Sequence, residues 1–147
     1  MITFTEQLRG QFRHSWRTGS NYTVDPPVTD TDVDTLILVK NLSDALTILT
    51  DDWDEAGWEL LHCCTPEGKK NYESDTGYAD WWYSLRRGNE NLIVTDNQAW
   101  YFRAIAATEL CRAFNLKNKE DRINVFRYIR DSRDEYDING LLDEVLV

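Results

Sequence analysis

Apolar residues recur at different spacings along the chain, and those spacings sort it into helices and strands. Behind Thr3 and Glu6, which stand in capping-box spacing, Leu8, Phe12 and Trp16 follow at four-residue intervals. This predicts an amphipathic helix ending before Gly19, with Gly10 weakening its middle. The stretch DTLILVK (34–40) is a continuous apolar run of strand length, the pattern of a strand buried on both faces. NLSDALTILTDDW (41–53) returns to helical spacing, with Asn41 or Ser43 as cap and Leu42, Leu46 and Leu49 on one face. WELLHCC (58–64) reads as a strand and the polar, aperiodic stretch 65–80 as a loop. WWYSLRRGNENLIVTD (81–96) reads as a β-hairpin turning near Gly88 and Asn89.

The clearest helix runs through 96–116, with Trp100, Ala104, Ala107, Cys111 and Phe114 as its buried stripe and Thr95 with Gln98 as capping box. A further helix starts at Asn118 and carries Ile123, Phe126 and Ile129 inward. The last stretch, 132–147, is acidic and then apolar, and its end is expected to dock on the body. The order of elements predicts an α/β (α+β) fold: a small mixed β-sheet with flanking helices. With no repeat and no linker-like segment, residues 1–147 read as one domain.

Charge narrows the possible partners. Acidic residues outnumber basic ones 26 to 16, for a formal charge of −10. A general DNA- or RNA-binding surface needs Lys and Arg to displace phosphate counterions, so it is excluded. One focused site for a small anion carried in with a metal fits better. Cys63, Cys64 and Cys111 are too few, and the first two too close together, for a disulfide framework. Nor does any apolar run approach the roughly 20 residues of a membrane span. The N-terminal stretch is amphipathic rather than signal-like. A reduced protein of the cytoplasm, away from membranes, is expected.

Against that acidic background, Asp30, Asp32 and Asp34 alternate directly before the apolar strand. Alternate residues of a strand share a face, so Asp32 and Asp34 point the same way and repel unless a cation sits between them. Such a pair suits Mg²⁺, which keeps waters and bridges to substrate phosphates. A calcium loop starting at Asp30 would need Gly at 35 and Glu at 41, where Thr35 and Asn41 stand. The plainer alternative is a solvated acidic turn in which Asp30 caps local backbone. Upstream, Gly19 permits close approach of backbone to a ligand, and the Ser20 hydroxyl and amide can bond a phosphate oxygen.

Thr18-Gly19-Ser20, eleven intervening residues, then Asp32-Val33-Asp34 leading into TLILV resembles the signature of the DNA polymerase beta-like nucleotidyltransferase superfamily. The stretches SLRRGNENLIVTD and ATELCRAFNLKNKEDRINVFRYI are similar to small phage-encoded members of that kind. The resemblance implies a minimal nucleotidyltransferase fold in the host cytoplasm. It further implies Mg²⁺ on Asp32 and Asp34, and triphosphate contacts at Gly19 and Ser20. Two departures stand out. Pro26 and Pro27 remove two backbone donors and limit any helix after Gly19-Ser20 to about one turn. The third carboxylate of active members aligns with Asn91, an amide that takes no proton at neutral pH. Glu90, next to it, faces the other side of a regular strand unless a bulge near Gly88 re-aims it. Asp96, at a helix start, reads as a cap.

The remaining candidates are weighed against plain structural roles. Arg86 or Arg87 reaches the triphosphate if its face of the sheet carries the aspartates. Lys69 and Lys70 either grip an anionic acceptor or are mobile-loop charges. His14 and His62 read as packed or exposed residues rather than catalysts, and Trp81, Trp82 and Trp100 as core before base-stacking platforms. The expectation is a nucleotidyltransferase that binds NTP and Mg²⁺ and transfers a nucleoside monophosphate to a hydroxyl on a small molecule, RNA end or protein. Asp32, Asp34 and Glu90 or Asn91 form the catalytic set, Gly19, Ser20, Arg86 and Arg87 hold the nucleotide, and a homodimer closes the cleft. The alternative is a catalytically weak or inactive phage accessory protein of the same fold, binding a host factor through its acidic surface.

Overall fold

The computed structural model describes residues 3–27, 32–51, 57–62 and 82–130. Asp30, Cys63, Cys64, Lys69, Lys70, Trp81, the loop expected at 65–80 and the acidic C-terminal stretch lie outside these residues. Five strands form one mixed sheet: β1 (Phe12–Thr18), β2 (Val33–Val39), β3 (Glu59–His62), β4 (Trp82–Arg87) and β5 (Glu90–Thr95). Their order across the sheet is β1-β2-β5-β4-β3. β2 and β5 run parallel, and every other neighbouring pair is antiparallel. The helices are α1 (Phe4–Gln7), α2 (Ser20–Thr23), α3 (Leu42–Thr50), α4 (Gln98–Ala113) and α5 (Lys119–Ile129). The expected mixed sheet with flanking helices is the fold observed.

The apolar run of β2 explains itself once both faces are seen to be covered. Leu36 and Leu38 join Trp82 and Ile93 against Trp100, Tyr101 and Ala104 of α4. Ile37 and Val39 join Leu85, Leu92 and Val94 against Leu42, Ala45 and Leu49 of α3, with Leu8 beside them. A third cluster, Ala107, Cys111, Leu116, Val125 and Ile129, fastens α5 to the C-terminal half of α4. On the α4 face the Trp82 and Trp100 rings stack, with centroids 6.0 Å apart and planes 9° from parallel. Side chains of this size contribute upwards of about 1.5–3 kcal/mol each when fully buried. Among the described residues no helix is long and apolar enough to cross a membrane.

The long first helix is the main correction. Its capping box is present: the Thr3 hydroxyl accepts from the Glu6 amide and the Glu6 carboxylate from the Thr3 amide. The helix nevertheless stops after one turn. Arg9 and Gly10 take φ of 48° and 89°, and the chain reverses into β1. A four-residue spacing fits two steps of a strand pair as well as one turn of a helix, so Phe12 and Trp16 carried no decision between them. Glycine's cost of about 1 kcal/mol in a helix and the pairing offered by β2 decide for the strand. An irregularity between Phe12 and His14 then sends Phe12 to the α3 face, leaving Trp16 and Thr18 in register with Leu36 and Asp34.

Smaller corrections concern the caps and stripes. Asn97 caps α4, accepting from the Trp100 amide at 3.0 Å, because Thr95 is still in β5. Phe114 lies beyond the last turn of α4 and is 43% exposed. In α5 the buried pair is Val125 and Ile129, while Ile123 is exposed. In α3 the buried set is Leu42, Ala45 and Leu49, with Leu46 at its margin and Asn41 as cap.

Candidate functional site

A row of side chains crosses the sheet beside α4, buried at its Thr18 end and exposed at Arg86 and Glu59. In the register Thr18 stands opposite Asp34, Asp34 beside Asn91, Asn91 opposite Arg86, and Arg86 opposite Glu59. Residues paired in this way point to one face. The next row inward on that face holds Leu36, Ile93 and Ser84, under α4. The polar row is thus covered at its Thr18 end, where Thr108 of α4 bonds Thr18, and open towards Arg86 and Glu59. This is where a ligand can approach.

Asp34 is the centre of the row. Its Oδ1 accepts from Asn91 Nδ2 at 3.0 Å, and Asn91 Oδ1 accepts from Ser84 Oγ at 2.7 Å, with Ser84 itself buried. On the other side lies Gly19, at φ +77° and ψ 172°, a combination essentially confined to glycine. A Cβ at Gly19 would fall 2.0 Å from Asp34 Oδ2, so the turn backbone meets the carboxylate with no room for a side chain. Burial raises the Asp34 pKa and the charge of Asp32 adds to the rise, against the Asn91 hydrogen bond and the charges of Arg17 and Arg86. Asp34 thus carries its charge at some cost, which a cation would relieve.

Asp32, just before β2, pairs with the Arg86 guanidinium in a contact that is partly exposed on both sides. Gly19 and Ser20 sit at the start of α2, the single turn that Pro26 and Pro27 allow. That turn is tied to α4 through Tyr22, whose hydroxyl donates to Glu109 Oε1 at 2.8 Å and accepts from Arg112 at 3.1 Å. Trp16 Nε1 donates to the same Glu109 oxygen at 2.7 Å, and the Thr18 hydroxyl bonds Thr108 at 2.7 Å. Asn115 adds a clip to both backbone groups of Asp25. The Gly19-Ser20 turn is thereby held against β2 by the far helix.

The structure brings Gly19, Ser20, Asp32, Asp34, Arg86 and Asn91 to one end of one face. It keeps Glu90 and Arg87 away. The two-residue turn at Gly88 introduces no bulge, so strict alternation puts Glu90 on the α3 face. There Arg87 stacks its guanidinium 4.4 Å over the Trp58 ring, with Glu90 at 3.7 Å. Arg86, not Arg87, is the guanidinium on the aspartate face. Asp96 does cap a helix, but it is α3: its carboxylate accepts from the Leu42 amide at 3.0 Å. His14 is spent on the Tyr101 hydroxyl at 2.7 Å, and Trp82 and Trp100 are core. Ser84 and Arg17 were missed. The alternation Trp82, Ser84, Arg86 puts Ser84 on the face of Arg86, and its bond to Asn91 follows only from the register of β4 with β5. A cleft of about 490 Å³ on the α3 face, lined by Leu46, Tyr83 and Asp96 among others, contains none of the expected site residues.

Among the described residues no group of three or more His, Cys, Asp or Glu is placed to share a metal. Two neighbouring carboxylates, Asp32 and Asp34, are what this end of the sheet offers, with Glu59 farther along the row. That donor set fits Mg²⁺, which takes one or two protein carboxylates and completes its shell with water and phosphate oxygens.

No protein-family model matches the sequence, and no curated protein matches it. Among solved structures the fold matches the conserved protein GrpB from Enterococcus faecalis, with a TM-score of 0.53 at 16% identity. The match covers 96% of this chain and 82% of that one. The likeness is one of fold: a mixed β-sheet with helices on both faces.

Proposed function

We propose that the chain binds a nucleoside triphosphate with Mg²⁺ at the polar end of the sheet and transfers its nucleoside monophosphate slowly to a hydroxyl acceptor, the bond to the β-phosphate breaking to release pyrophosphate. The observation that carries this reading is the contact between Gly19 and Asp34. A phosphate-sized approach to the Gly19-Ser20 backbone is an approach to the carboxylate as well, so anion and cation sites adjoin. Asp32 and Asp34 would hold the metal, which when bound supplies charge neutralisation between phosphate oxygens. Ser20 and the Gly19-Ser20 backbone contact the phosphates, and Arg86 and Arg17 add positive charge at their edge. Asn91 fixes Asp34 but accepts no proton, and Glu90 stands on the other face. The acceptor's proton must therefore go to water or to the substrate itself, which is why transfer is slow. An acceptor arriving at so open a site calls for a second chain to exclude water, a second copy of this one being the simplest.

The test is calorimetry of NTP binding with and without Mg²⁺, on the wild type and on Asp32→Ala with Asp34→Ala. Binding that requires both metal and aspartates supports the proposal, and NTP binding indifferent to either defeats it. One observation favours a second reading, a binding module without transferase activity: both carboxylates already have partners within the chain, Arg86 and Asn91. NTP-dependent labelling of an acceptor, lost in Asp32→Ala, separates the two.

A further inference from the structure

We infer that Arg86 is a built-in counter-cation of the carboxylate pair, so that the site takes a divalent cation together with a triphosphate and holds the bare cation poorly. The inference rests on the nucleotide reading above and specifies how that site is controlled. Three placements carry it. Arg86 stands directly opposite Asn91 in the row, and its guanidinium reaches Asp32. Asn91 is neutral, and its amide donates to Asp34. With Glu59 opposite Arg86 and the Arg17 charge acting on Asp34, three carboxylates stand against two guanidinium groups, a net charge near −1, where a bare dication needs more.

A bare dication at Asp32 must first displace a guanidinium and then sit beside it, like charge against like. A metal–triphosphate complex carries net negative charge, so the displaced guanidinium turns from Asp32 to the phosphates. The same side chain opposes the metal and favours the complex. The displacement itself is easy. The Arg86 and Asp32 side chains are 43% and 34% exposed, and a pair as wet as this resists opening by about fivefold at most. Glu59, opposite Arg86 on β3, keeps a partner for the guanidinium on this face after release.

Mn²⁺ is the probe, followed by calorimetry or by its paramagnetic resonance, on the full chain with and without a triphosphate whose α,β-bridge is a methylene. Arg86→Gln is expected to bind Mn²⁺ alone about three- to tenfold tighter than the wild type and the Mn²⁺–triphosphate complex at least threefold more weakly. Arg86→Lys keeps the charge and is expected to stay within about twofold of the wild type for Mn²⁺ alone. Equal or weaker Mn²⁺ binding by Arg86→Gln overturns the inference, as does a wild type and variant that both fail to bind the ion. Arg86→Met serves as a second neutral variant should Arg86→Gln melt early. Failure of the nucleotide reading shows separately, as triphosphate binding unaffected by loss of Asp32 and Asp34.

Discussion

Gly19→Ala puts the turn-to-carboxylate contact to a quantitative test. The native φ of +77° with ψ near 172° costs a residue with a side chain about 1–3 kcal/mol. The new Cβ would lie 2.0 Å from Asp34 Oδ2 and 2.9 Å from its Cγ, so the carboxylate must swing away and lose its 3.0 Å bond from Asn91. Losing a partly buried charge-assisted hydrogen bond adds about 1–3 kcal/mol. The sum is about 2–6 kcal/mol, read as a drop in the urea midpoint with unchanged slope. A double-mutant cycle isolates the contact. In an Asp34→Ala background the nearest remaining atom is the residue 34 Cβ at 3.1 Å, so Gly19→Ala should cost only its backbone strain there. A coupling of about 1–3 kcal/mol is expected. A single-variant loss below about 1 kcal/mol, or strictly additive variants, would refute the contact and the nucleotide reading built on it.

Four further outcomes are expected. Asp34→Asn should raise the melting temperature at neutral pH. The folded-state pKa of Asp34 lies above its ordinary 3.8, so the ionised group weakens the fold progressively as pH rises from about 3.8 through the raised value. The gain should vanish below that window, and a gain equally large at acid pH would mean that charge is not the cause. Asn91→Asp adds a carboxylate beside Asp34, and should lower the melting temperature in chelator while enlarging the rise on adding Mg²⁺; a rise no larger than the wild type's counts against a metal there. Trp100→Ala removes the stacked partner of Trp82 and should cost about 3–5 kcal/mol by urea unfolding, so a loss under about 1 kcal/mol would contradict its place in the core. The Cys111 thiol is fully buried, and burial pushes its pKa up to about 12. Iodoacetamide at mildly alkaline pH should therefore modify it at the rate of global unfolding, followed by peptide mass spectrometry. Labelling within the dead time would contradict the packing of α5 on α4.

What the sequence made legible follows from which signals are local. The β2 run, the Gly88–Asn89 hairpin and α4 were readable because burial on both faces, turn chemistry and a long 3.6-residue stripe each leave their own trace. The first element was not, since Leu8, Phe12 and Trp16 satisfy two periods at once and the decision came from β2, distant in sequence. Within the site, alternation alone correctly assigned Asn91 and Glu90 to opposite faces. Which face Arg86 shares with Asp34 depends on a parallel register spanning 57 positions, and no local pattern encodes that. Ser84 was missed because a buried serine between Tyr83 and Leu85 looks like an interruption until its partner on β5 is known.

The parallel pairing of β2 with β5 has a consequence for the order of assembly. β1 and β2 form one antiparallel unit and β4 and β5 another, each closed by a shorter connection than the seam between them. Asp34 and Gly19 belong to the first unit, Asn91, Ser84 and Arg86 to the second. The polar row is thus complete only after the two halves have met, and a ligand lying across it acts as a clasp on the slowest-forming joint of the sheet. Amide exchange should then respond asymmetrically to a bound metal–triphosphate, slowing most at Asp34 to Leu36 and Asn91 to Ile93 along the seam. Uniform slowing across all five strands would mean that the sheet opens as one piece.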